Sequence, residues 1–122
     1  MSTAPHLELG RAAEAAAARH VERLGYRILT ANFRARGGEL DLVAMDGTAL
    51  AIIEVRYRAS VRFGGAAASI THGKRRRIIS AARALLATNP PLAKLPARFD
   101  VIEVSGAADH LDCQLIRGAF SL

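Results

Sequence analysis

The chain has 122 residues, 51% of them apolar, and a net charge of +6 that rests on 15 arginines and only two lysines. That length suits one domain, 1–122, with a real core, and it excludes two ordinary domains or a disordered chain. No apolar run nears the ~20 residues of a membrane span. The opening MSTAPHLELG has neither the basic segment nor the apolar stretch of a signal peptide, and Cys113, the only cysteine, permits no internal disulfide and points to no zinc site.

These features read as a protein of the reducing cytoplasm, with no membrane partner. Its excess positive charge favours a polyanion, above all nucleic acid. In chain order, Ala17, Val21 and Leu24 recur at helical spacing, so a helix is expected over Glu8–Leu24, stopped by Gly25. A strand is expected over Tyr26–Phe33, then a turn at Arg36-Gly37-Gly38. Glu39–Met45 alternates as a second strand, Asp46-Gly47 signals a turn, and Leu50–Tyr57 is a third strand. Ala59–Ala68, with Gly64-Gly65, reads as a loop. A second helix spans Ile70–Thr88 and stops at Asn89-Pro90-Pro91. Arg98–Val104 and Leu111–Ile116 complete the order αβββαββ, an α/β fold with a mixed central sheet.

The candidate chemistry lies between Gly38 and Arg58. Strand side chains alternate faces, so Glu39, Asp41, Val43 and Met45 should share one face of the second strand, and Leu50, Ile52, Glu54 and Arg56 one face of the third. If Met45 pairs with Leu50, Asp41 lies opposite Glu54. A two-residue Asp46-Gly47 turn instead sets Glu39 opposite Glu54 and Asp41 on the diagonal, so register decides. Two opposed carboxylates cost about 0.2–1 kcal/mol, which a divalent cation would offset. An acid on one strand followed by Glu-x-cation on the next is also how metal-dependent nucleases hold Mg²⁺ against a phosphate. Taken alone, the pattern favours a plain surface network in which Arg56 or Arg58 pairs with the two acids, because charged residues on a half-exposed sheet face are ordinary. Glu14 lies on the helix stripe and is either a third acid of the site or an acid near the helix start, where the dipole favours it.

Leu9-Gly10-Arg11, Glu14, Ala17, Gly25-Tyr26-Arg27-Ile28-Leu29, Asn32-Phe33-Arg34, Gly38-Glu39-Leu40-Asp41-Leu42-Val43, Glu54-Val55, Lys74, Ala81 and Arg98-Phe99-Asp100-Val101 stand in the order and spacing of the YraN-like family of small bacterial proteins. The chain resembles that family from about Leu9 to Phe120. The family in turn is similar to the restriction-endonuclease-like superfamily, and especially to its Holliday-junction resolvases. The resemblance implies a central mixed sheet flanked by helices, and DNA rather than RNA as substrate. It implies Mg²⁺ or Mn²⁺ held by Glu14, Asp41 and Glu54, with Asp41, Glu54 and the cation two residues on as the catalytic set. It also suggests a homodimer, since a two-fold junction suits a two-fold protein. The family's Glu-Val-Lys is here Glu54-Val55-Arg56. Arginine keeps the charge but cannot act as a base, and its fork can clamp a carboxylate.

Arg58, Arg62, Lys74, Arg75, Arg76 and Arg77 are expected to form a phosphate-binding rim beside the acids. Two functional readings follow. One is a Mg²⁺-dependent DNA endonuclease acting on branched DNA. The other is a non-catalytic nucleic-acid-binding module in which Arg56 neutralises the acidic site. A protein-interaction role without nucleic acid is a more remote third.

Overall fold

The computed structural model describes residues 5–58, 70–107 and 109–120. The expected loop 59–68 and Arg62 lie outside the described residues. Helix α1 (Pro5–Arg23) leads into strands β1 (Arg27–Ala35), β2 (Gly38–Asp46) and β3 (Ala49–Arg58). Helix α2 (His72–Thr88) follows, then a four-residue helix α3 (Pro90–Ala93), and strands β4 (Ala97–Ala107) and β5 (His110–Phe120). The sheet runs β1-β2-β3-β4-β5, antiparallel except for the parallel pair β3/β4. The helical crossover between β3 and β4 is what a parallel pair requires. This is the expected αβββαββ order, a mixed sheet flanked by helices, consistent with a restriction-endonuclease-like fold.

Each face of the sheet carries its own core. Ala13, Ala17 and Val21 of α1 pack with Leu42, Ala44, Ala51, Ile53, Ile102 and Val104. On the other face Ile78, Ala81, Ala82 and Leu85 of α2 pack with Leu40, Val43, Leu50, Ile52, Phe99 and Val101. The central strands therefore read as nearly continuous apolar runs, as expected for strands covered on both sides.

Three details depart from the sequence reading. Leu24, placed on the helix stripe, is 49% exposed. The helix ends at Arg23, Gly25 turns at φ +95°, and Tyr26 N–H returns to the Val21 carbonyl at 2.9 Å, so Tyr26 fills the core position instead. Asn89-Pro90-Pro91 does not simply stop the second helix; Pro90 and Pro91 open α3, whose first turn has no use for their missing N–H groups. Asp46 pairs with Ala49, so the β2–β3 turn is Gly47-Thr48, with Gly47 at φ +61°.

Asp100 is fully buried at the β4–β5 end. It accepts Arg98 Nε at 2.7 Å and Gly118 N–H at 3.0 Å, and Arg98 also reaches Asp46 at 2.9 Å. A buried carboxylate held by this many donors ties three strands together, a structural role.

Candidate functional site

Register comes first. Met45 pairs with Leu50 and Leu42 with Ile53, so the next step sets Asp41 opposite Glu54. Of the two registers open from the sequence, this one brings the acids face to face.

The expected alternation of β2 breaks at the same place. Leu40 and Val43 both join the α2-side core, while Leu42 and Ala44 join the α1 side. Glu39, Asp41, Val43 and Met45 therefore do not form one regular face. Across the ladder, Ala31 pairs with Leu42 and Phe33 with Leu40, which leaves Asn32 opposite Asp41. Asn32 has φ +53°, the only described non-glycine residue with positive φ. Asparagine tolerates that left-handed conformation better than most side chains. The two strands exchange faces at this pair, and Asp41 consequently lines depressions on both sides of the sheet. One is shared with Glu14 and Asn32, the other with Glu54, Lys74 and Arg77.

The second depression, of about 210 Å³, is lined by Gly38, Glu39, Asp41, Glu54, Lys74, Arg77 and Ile78. Glu54 is buried at its floor, and Lys74 Nζ lies 2.7 Å from Glu54 Oε1. Burial pushes the Asp41 carboxyl up to about 8. The charge of Glu54, a hydrogen bond between the two carboxyls and the more distant Glu14 add to that, while a 2.9 Å hydrogen bond from Val55 N–H opposes it. Asp41 thus largely keeps its proton at neutral pH. The Asn32 amide, oriented to donate, lies 3.3 Å from both Glu14 Oε2 and Glu39 Oε1 and so links the first helix to β2.

An opposed pair of carboxylates in which Asp41 resists ionising fits a hard divalent cation, which needs one or two carboxylates plus waters and substrate phosphate. Among the described residues no group of three or more His, Cys, Asp or Glu side chains is arranged to hold a metal ion by itself. Asp41 and Glu54 face each other, and Glu14 stands on the α1 side of Asp41.

The expected rim divides around α2. Lys74 and Arg77 line the acidic depression, and Arg75 lies over the Phe120 ring at 5.4 Å. Arg76 faces a separate depression with Ile79, Ser80 and Arg83. Arg58 is the last described residue of β3. Arg56 is half-buried, and its parallel neighbour on β4 is Glu103, a buried acid that sequence spacing alone did not single out. The cation on Glu54 is therefore Lys74, which the sequence reading had set on the rim. Its lysine identity in an arginine-rich chain was the available signal. Larger depressions also lie away from the carboxylates. One, about 490 Å³ and mainly apolar, lies between α2, β4 and β5, and one of about 410 Å³ lies between α1 and β5.

The model of a protein family described as "Uncharacterised protein family UPF0102" matches residues 13–104 of this chain. The chain is 51% identical over 113 residues to a UPF0102 protein of Xanthomonas campestris pv. campestris, covering 93% of this chain and 91% of the relative. It is 50% identical to one of Xanthomonas euvesicatoria pv. vesicatoria, covering 91% and 89%. A UPF0102 protein of Xylella fastidiosa is 48% identical, covering 94% and 93%.

Proposed function

This chain belongs to the UPF0102 family, and we propose that it is a nucleic-acid-binding protein of the cytoplasm that hydrolyses DNA phosphodiesters at branched structures with Mg²⁺ or Mn²⁺. The observation that carries this reading is the opposition of Asp41 and Glu54, with Asp41 held at about 8. A fold does not keep two carboxylates in this arrangement without cost, and a phosphate-bridging cation gives them a use.

Asp41 and Glu54 would hold the ion, with Glu14 behind Asp41. When bound, the ion would polarise the scissile phosphate and lower the pKa of a coordinated water. Hydrolysis adds a water oxygen to phosphorus and breaks the bond to the departing sugar oxygen. The water loses one proton to solvent, and the departing oxygen takes one up. Arg77, exposed, also lines the depression and would hold an adjacent phosphate.

One observation favours a second reading, a binding module without hydrolysis: Glu54 already has an ion-pair partner in Lys74. One experiment separates the two. Labelled linear, flapped and four-way-junction DNA is incubated with the protein in Mg²⁺, Mn²⁺ or chelator, alongside Glu54→Ala. The expected outcome is metal-dependent cleavage of a branched substrate, slowed about 100-fold or more in Glu54→Ala. Retention of DNA with no cleavage in any arm would support the binding module instead.

A further inference from the structure

A helix, not only β3, brings a cation to the opposed carboxylates. Lys74 Nζ is 2.7 Å from Glu54 Oε1 and lines the same depression as Asp41 and Arg77. It is one of two lysines in a chain with 15 arginines. Its position is fixed from several sides. Thr71 caps α2, its Oγ1 accepting the Lys74 N–H at 3.1 Å. Ile78, one turn on, is buried against the sheet. Gly38 admits the Arg77 carbonyl so closely that a methyl group there would collide with it. The cation that β3 offers, Arg56, stands beside buried Glu103 on the β4 side.

The Lys74 side chain is 32% exposed, so it meets both the buried carboxylate and whatever arrives from solvent. An ammonium has three donors, and the Glu54 contact uses one. It is also a compact point charge, which suits a narrow site better than a guanidinium fork.

Resting on the nuclease reading above, we propose that Lys74 of α2, not Arg56 of β3, is the cationic side chain that acts with Asp41 and Glu54 on the phosphodiester. Its ammonium holds Glu54 and donates to a non-bridging phosphoryl oxygen. There it stabilises the negative charge that grows as water adds to phosphorus and the bond to the sugar oxygen breaks.

The test compares wild type with Lys74→Met, Lys74→Arg and Arg56→Met. Single-turnover cleavage of the best branched substrate, Mn²⁺ affinity without DNA, and thermal melting are measured for each. Lys74→Met should cleave about 100-fold more slowly, a loss about tenfold or more beyond that of Arg56→Met. It should bind Mn²⁺ at least as tightly as wild type, because a positive charge beside the metal carboxylates has gone. Lys74→Arg should recover part of the rate. Lys74→Met cleaving within about threefold of wild type would overturn the assignment, as would an equal or larger loss in Arg56→Met. Weaker Mn²⁺ binding in Lys74→Met would reduce Lys74 to a structural prop and overturn it too. A wild type inert on every substrate fails at the nuclease reading itself. That result is distinct from an active wild type that tolerates Lys74→Met.

Discussion

Asp41 carries the largest electrostatic strain in the site, and its titration should be visible in stability. The groups that face it are Glu54 on β3, Glu14 on α1 and Asn32 on β1, with Lys74 of α2 reaching it through Glu54. Its carboxyl is raised from an ordinary value near 4 to about 8 in the folded protein. A raised folded value means the proton is bound more tightly in the folded state. The stabilisation is complete below pH 4 and is lost as pH rises toward 8. The slope can reach about 1.4 kcal/mol per pH unit. Urea unfolding in chelator should therefore show stability declining between pH 5 and about pH 8. His20, held below its ordinary value by burial and Arg23, contributes with the opposite sign, so Asp41→Asn is the needed reference. The wild-type-minus-Asn difference should carry the decline; a flat difference would mean that Asp41 is already ionised. Mg²⁺ should bind more tightly as pH rises over the same range, because binding releases the Asp41 proton.

At the scale of elements, the site depends on how α2 docks against the β1–β2 hairpin. Gly37 turns that hairpin at φ +91°, with Ser80 of α2 beside it. Gly38 then lets the Arg77 carbonyl approach the strand backbone. A side chain at 38 must push helix and strand apart, and overpacking of this kind costs about 1–3 kcal/mol. Gly38→Ala should lower the melting temperature by roughly 5–15 °C for a domain of this size. Because Lys74 and Arg77 ride on the same helix, metal-dependent cleavage should fall with it. An unchanged melting temperature would show that α2 does not rely on this close approach. These elements were legible in the sequence because their apolar periods are clean: Ala17 and Val21 on α1, Leu50 and Ile52 on β3. The exchange of faces at Asn32 and Asp41 was not. Alternation rules assume a regular strand, and nothing short of the backbone reveals one left-handed asparagine. Lys74 was expected beside the acids, but its direct contact with Glu54 was not legible for a related reason: spacing along the chain gives its position on the helix and not the distance from that helix to β3.

Over the whole molecule, the +6 charge says little until it is divided by face. Register and the charge run located the opposed acids and the basic helix in the sequence, yet a run such as Lys74-Arg75-Arg76-Arg77 winds around its helix and cannot meet one DNA backbone with all four side chains. Lys74 and Arg77 face the acids, Arg75 is engaged with Phe120, and Arg76 faces elsewhere. Each phosphate neutralised on duplex DNA adds about 0.9 to the slope of log affinity against log salt, with the sign negative. Anisotropy titrations of a four-way junction in chelator should then give a slope of about −3 to −5, a handful of contacts rather than one for each basic residue. Arg77→Ala should reduce that slope by about 1, whereas Arg75→Ala should leave it within error. A slope near zero would remove nucleic acid from the reading altogether. A loss at Arg75 equal to that at Arg77 would mean DNA approaches over the Phe120 side of α2, away from Asp41 and Glu54, and would separate binding from the carboxylates that hydrolysis needs.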